Sequence, residues 1–150
     1  MRKAIALAVD NVRSGAGGPF GAVVVRDGVM VAEGVNRVTA TNDPTAHAEV
    51  VAIRAACEAL GDFQLKGCVV YTSCEPCPMC LAALYWSRCD AIYYGCSAAD
   101  AADAGFDDSF LYEEVVRPVD QRKIPTKRLL GDEAIASFDA WRAQANKIEY

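Results

Sequence analysis

The sequence holds one histidine among 150 residues, no apolar run near the length of a membrane span, and no excess of basic charge. Each shortage excludes something. A bilayer-spanning helix needs about 20 mainly apolar residues. The short apolar run after Met1 breaks at Asp10 and Asn11 and resumes at Val12 with helical spacing. That pattern fits an amphipathic first helix better than a secretory leader. Acidic residues number 20 against 15 Lys and Arg, a net charge of −5. Such a surface gains little from counterion release on a polyanion, so neither nucleic acid nor a membrane is expected as a partner. Internal repeats, low-complexity tracts and linker-like stretches are also missing. At 53% hydrophobic and 23% charged residues, the chain is expected to form a single globular domain over residues 1–150.

Seven cysteines are present, an odd number, and Cys74, Cys77 and Cys80 crowd into one short segment. A secreted disulfide scaffold is normally shorter, with an even and dispersed set. Reduced thiols in the cytoplasm, some of them on a metal, fit better. Cys57, Cys68, Cys89 and Cys96 stand in apolar contexts and read as inert core thiols.

Periodicity predicts a helix over residues 3–13, ended by the glycine-rich stretch 15–19. Residues 22–26 and 29–34 are β-branched runs separated by Asp27-Gly28, a strong hairpin signal. A polar loop, 36–45, offers Thr45 as a helix N-cap. A helix follows over 46–60, stopped by Gly61. Residues 68–72 read as a buried strand, Pro76 and Pro78 as the opening of a helix running to about Ser87, and 91–95 as another strand. Helices alternating with apolar strands imply crossovers and a partly parallel sheet. The aperiodic segment 105–110 reads as an ordered loop, and residues 132–146 as a last helix with Ile135, Phe138, Trp141 and Ala145 on one face.

The chemistry concentrates at two of these helix starts. Catalytic zinc commonly takes three nitrogen or sulfur ligands and leaves a fourth position for water. Cys77 and Cys80, three apart, share a helical face, and His47 can supply the third ligand from the other helix. Helix N-termini favour thiolate ligands. Glu49 lies about 200° around the helix from His47, which disfavours it as a ligand on the same face. Near the metal it can instead take a proton from water and pass it to a leaving amine. Two other readings stand beside this one. Cys74 can join His47, Cys77 and Cys80 in a closed structural site. Cys-x-x-Cys can also be a redox pair, although that explains neither His47 nor Glu49.

His47-Ala48-Glu49 followed by Pro76-Cys77-Pro78-Met79-Cys80 is a signature of zinc nucleobase deaminases. With residues 18–22, Asn36, 42–49, 72–80, 105–110 and 146–150, the chain resembles the bacterial guanine deaminases of the cytidine/deoxycytidylate deaminase superfamily. The resemblance implies an α/β fold, three layers α/β/α around a mixed five-stranded sheet. It also implies a homodimer whose C-terminal segment, about 132–150, crosses to the partner subunit. One zinc per subunit would be held by His47, Cys77 and Cys80, with Glu49 and Asp108 catalytic. Asn36 would hydrogen-bond the base, Phe20 and Trp86 would flank it, and Asp108 and Tyr150 would close the site. Which of Asp107 and Asp108 reaches the substrate stays open, and Phe20 or Trp86 can equally be core residues.

The implied reaction is zinc-assisted hydrolysis of guanine to xanthine and ammonia. Alternatives within the same chemistry are a transfer-RNA adenosine deaminase, or an enzyme for cytosine, guanosine or a triazine. From another class, a zinc-stabilised binding module would leave Glu49 without a task.

Overall fold

The computed structural model describes residues 1–149. They form two compact units, Met1–Ser109 and the residues from Phe110 onward.

In the first unit, α1 (Arg2–Arg13) leads through the glycine-rich segment to β1 (Gly21–Arg26) and β2 (Val29–Val35). The hairpin turn is Asp27-Gly28, with φ of 51° and 76°. Two positive φ values in a two-residue loop are what the strand twist of a tight hairpin requires. A short α2 (Val38–Thr41) interrupts the loop that follows, and α3 (Ala48–Leu60) ends at Gly61 in the left-handed conformation. Then come β3 (Cys68–Cys74), α4 (Pro78–Ser87), β4 (Ala91–Cys96) and α5 (Ala98–Asp103). The strand order is β2-β1-β3-β4, antiparallel at β1/β2 and β1/β3 and parallel at β3/β4. The parallel pair is the crossover expected from strand, helix and strand in succession.

Two glycines show how the layers close. A Cβ on Gly21 would run into Ala4 O and Ala8 N of α1, and one on Gly34 into Ala48 O and Ala52 N of α3. Ala22 is paired with Gly34, so Gly21 and Ala22, neighbours on one strand, face opposite sides of the sheet. α1 therefore covers one face and α3 the other, giving three layers. The core lies on the α3 side, where Ala22, Val24, Cys68 and Val70 meet Ala52, Ala56, Leu65 and Leu84.

The sheet has four strands among the described residues, not five. Sequence beyond β4 holds no further β-branched run, and it turns helical at once. Ser97 and Asp100 form a reciprocal capping box that starts α5. β4 is consequently an edge strand, with Tyr93 and Tyr94 about half exposed. Its position also exposes Cys96, which is not a core thiol.

Two smaller expectations change. Thr45 caps no helix, because its hydroxyl and its N–H both donate to Asp43 Oδ1, at 2.7 and 2.8 Å. The N-cap of α3 is His47, whose ring caps nothing. The loop expected over 105–110 is cut short by α6 (Ser109–Val116).

The second unit contains most of α6, a short 3-10 turn (Val119–Gln121) and α7 (Gly131–Ala143). Arg117 pairs with Glu113 and Glu114, and Arg142 with Asp139, all near the surface. No helix among the described residues is long and apolar enough to cross a membrane.

Candidate active site

The connection from β3 to α4 and the start of α3 meet above the α3 side of the sheet. His47 is the N-cap residue of α3 and Cys77 that of α4, both with extended backbone. Pro78 occupies the first turn of α4, where its missing N–H costs no hydrogen bond. One turn into the helix, Cys80 returns to the same side as Cys77. The ligand atoms of His47, Cys77 and Cys80 all lie within 4.8 Å of one another.

Their spacing fits zinc. Bond lengths of about 2.3 Å to sulfur and about 2.0 Å to nitrogen place tetrahedral ligands about 3.6 Å apart. Cys77 Sγ is 3.6 Å from His47 Nδ1. Cys74 is not part of this cluster. Its thiol donates instead to Ser97 O at 3.6 Å, and burial pushes its pKa up to about 11. A closed four-ligand site is thereby disfavoured.

Electrostatics prepares the cluster for a cation. A hydrogen bond from Cys80, supported by His47, draws the Cys77 thiol down to about 4. Cys80 is pushed up by that hydrogen bond with Cys77 and by burial. The contact with Cys77 raises His47. Cys77 thus carries the thiolate charge while Cys80 keeps its proton.

Glu49, in the first turn of α3, is 5% exposed. Burial raises its carboxyl above the ordinary range, opposed by hydrogen bonds from its own backbone, Thr72 and Cys80. Thr72 Oγ1 donates to Glu49 Oε1 at 3.0 Å. Glu49 is thus beside the ligand set and outside it, as its angular offset on the helix predicts.

A cavity of about 570 Å³ opens over these groups, lined by Phe20, Asn36, His47, Glu49, Cys77 and Asp108 among others. Asn36 is 8% exposed, and its Oδ1 accepts from Val38 N at 3.3 Å. The Phe20 ring meets Phe106 edge-on at 5.0 Å. The two aspartates diverge: Asp107 Oδ1 accepts from Ser109 N at 2.9 Å, whereas Asp108 faces the cavity. Burial, then the nearby Cys77 charge, raises the Asp108 carboxyl. Trp86 does not line this cavity. It is 64% exposed near the end of α4, with Arg88 5.7 Å from its ring centroid. Tyr150 lies outside the described residues.

Sequence reading missed Asn11, Thr72 and Phe106 as members of this framework. Asn11 Nδ2 donates to Gly18 O and to Asn36 O, both at 2.9 Å, tying α1 to the two segments that wall the cavity. A buried polar residue inside an apolar helix face was the available signal. For Thr72 the signal is a hydroxyl in register with Cys68 and Val70 on the core face of β3. Phe106 offers no signal before its loop is folded.

A three-layer α/β domain with a His–Cys–Cys cluster and a buried glutamate at paired helix starts defines a zinc-dependent hydrolytic deaminase. Residues 1–96 match the cytidine and deoxycytidylate deaminase zinc-binding region, and the chain belongs to that family. His47, Cys77 and Cys80 are its zinc site. Over 150 residues the chain is 55% identical to the guanine deaminase of Bacillus subtilis (strain 168), covering 100% of this chain and 96% of that protein. An X-ray structure of guanine deaminase from Bacillus subtilis matches with a TM-score of 0.97 and 56% identity, covering 99% of this chain and 95% of that one. A tRNA-specific adenosine deaminase of Agrobacterium fabrum (strain C58 / ATCC 33970) is 51% identical over 77 residues, 51% of either protein.

Proposed function

We propose that the chain hydrolyses guanine to xanthine and ammonia. The observation that carries this reading is one cavity that gathers His47, Cys77 and Glu49 with Asn36 and Asp108. Its volume suits a small molecule. The full-length similarity to a guanine deaminase supports guanine over the bases of transfer RNA, where similarity extends over half the chain.

Zinc, when bound, supplies a water acidic enough to act as a nucleophile at neutral pH. The chain's own residues do the rest. Glu49 accepts a proton from that water and donates it to the ring nitrogen beside C2 of the purine. It then takes the second water proton and passes it to the departing amine, so the products are xanthine and ammonia and Glu49 is regenerated. Asn36 hydrogen-bonds the purine edge through its amide. Asp108 accepts from the amine or ring N–H donors that guanine has and adenine lacks at that edge, and an analogue without them leaves its carboxylate unpaired against the bound ring. Phe20, backed by Phe106, packs against the ring plane.

The assembly that fits this chemistry is a homodimer, with one zinc per subunit and the segment from about 132 to 150 crossing to the partner so that Tyr150 closes the neighbouring site. In support, Ile135 and Phe138 on α7 are 47% and 60% exposed. Thiol ligands and seven free cysteines suit a reducing compartment such as the cytoplasm.

The test is ammonia release by zinc-loaded protein on a panel of free bases and nucleosides. Guanine should react fastest. Inert guanine beside active cytosine, guanosine or a triazine overturns the substrate, and inosine formation in transfer RNA points to the adenosine reading. For the exchange, a chain lacking residues 147–150 is mixed with an intact Glu49→Gln chain. Activity should reappear in the mixed dimer, and none in confirmed heterodimers rules the exchange out.

A further inference from the structure

We infer that Thr72 is a positioning residue for the deamination: its hydroxyl holds Glu49 in the rotamer from which the carboxylate moves protons. The inference rests on the proton-transfer role proposed for Glu49.

The geometry is unusually constrained. Thr72 and Glu49, 23 positions apart, meet at 3.0 Å with only 1% and 5% of their surfaces exposed. Thr72 sits on β3, an interior strand, in register with Ala22 of β1 and Tyr94 of β4. Its backbone is therefore fixed from both sides, and β-branching restricts χ1. The hydroxyl has one proton to give, and an ionised carboxylate can only accept. Donation to Oε1 thus ties one carboxylate oxygen to the sheet while Glu49 lines the cavity.

Packing alone does not call for the hydroxyl. Cys68 and Val70, on the same face of the strand, are apolar and belong to the core. Valine has nearly the volume of threonine and would fill the place, so the polar group answers to Glu49. Cys80 also contacts Glu49, but as a metal ligand its sulfur is deprotonated and has no hydrogen to give. Thr72 is then the side chain left to orient the carboxylate. Thr72 does not line the cavity, so it has no direct means of altering substrate binding.

The test compares zinc-loaded Thr72→Val, Thr72→Ser and Glu49→Gln with the parent protein, reading kcat, KM for guanine, zinc content and thermal melting. Thr72→Val should lower kcat by about 10–100-fold, the range found when an orienting partner is removed, with KM and zinc content unchanged. Thr72→Ser, which keeps the hydroxyl and loses a methyl, should recover most of the kcat despite a lower melting temperature. Parental kcat in Thr72→Val overturns the inference, as does a Thr72→Ser variant as slow as Thr72→Val, since the loss would then follow packing. If Thr72→Val fails to fold or to hold zinc, the comparison of parent with Thr72→Ser and Thr72→Ala reads the same hydroxyl. Glu49→Gln separates the two readings. Parental turnover there removes the role of Glu49 itself, whereas an inactive Glu49→Gln beside a fully active Thr72→Val removes only that of Thr72.

Discussion

Cys77 Sγ lies 3.6 Å from His47 Nδ1, across 30 residues of chain, because each residue is the N-cap of its own helix and the two helix starts face each other. The hydrogen bond between Cys80 and Cys77, supported by this contact, sets the protonation of the metal-free site. Cys77 is drawn to about 4 and is a thiolate at neutral pH, while Cys80 is raised and keeps its proton. His47 is raised and charges at a higher pH than an ordinary histidine. Zinc needs all three deprotonated. Above the His47 pKa it displaces about one proton, from Cys80, and below it about two. The logarithm of zinc affinity should therefore rise with pH at a slope near two below the His47 titration, falling to near one above it. Calorimetric titrations in buffers of different ionisation enthalpy count the protons. A count of three in mild acid would show Cys77 to be a neutral thiol.

Cys74 separates a catalytic from a closed structural zinc site. Its sulfur turns to Ser97 O, and its raised pKa keeps it neutral. Cys74→Ala should hold stoichiometric zinc and lose about 1 kcal/mol of stability at most. Cys77→Ser and Cys80→Ser should lose metal and activity together. Elemental analysis after dialysis decides it, and loss of zinc from Cys74→Ala would restore the four-ligand site.

Burial of Glu49 exacts a stability cost that is visible in its pH dependence. Its folded-state pKa lies above the unfolded value because of desolvation. A raised pKa contributes stability that is fully present below the unfolded value, about 4.3 for glutamate, and is lost as pH rises through the folded value. Above the unfolded value the metal-free protein thus bears the cost of burying a carboxyl whose ionised form is desolvated, a cost that glutamine, without charge, does not carry. Metal-free Glu49→Gln should melt above metal-free parent at neutral pH, and the gap should close on acidification below the ordinary glutamate range. The zinc-loaded variant should lose activity by about 10²–10⁴-fold. A melting difference independent of pH would mean that ionisation of Glu49 is not the cause.

What the sequence made legible follows from how local each signal is. The ligands were readable because Cys77 and Cys80 repeat at helical spacing, the sequence has one histidine, and Glu49 sits at a fixed angle from it. Asp27-Gly28 dictated its turn through backbone conformation alone. Thr72 and Asn11 were not readable, because their meaning lies in partners 23 and 25 positions away. Asn36 and Asp108 were reached through resemblance, and Asp107 differs from Asp108 only once the loop is folded and Ser109 N–H has claimed one of them. The expected fifth strand also came from resemblance. The residues after β4 carry a helix cap and no strand pattern.

Gly34 links sheet packing to the metal. A Cβ there would overlap Ala48 O and Ala52 N, and Ala48 directly follows the ligand His47. β2 is held in register by β1, with Gly34 opposite Ala22, so relief of the overlap pushes β2 and α3 apart. Gly34→Ala should cost about 1–3 kcal/mol, the usual penalty for overpacking. Because α3 begins at His47, zinc affinity should fall as well. Gly28→Ala is the control: the turn glycine has open space around it and a φ of 76°, so its substitution strains the backbone far from the ligands. Comparable melting losses with zinc affinity reduced only in Gly34→Ala would show that the close approach of β2 and α3 sets the ligand geometry. Equal zinc affinity in both variants would show that the His47 position tolerates displacement of its helix.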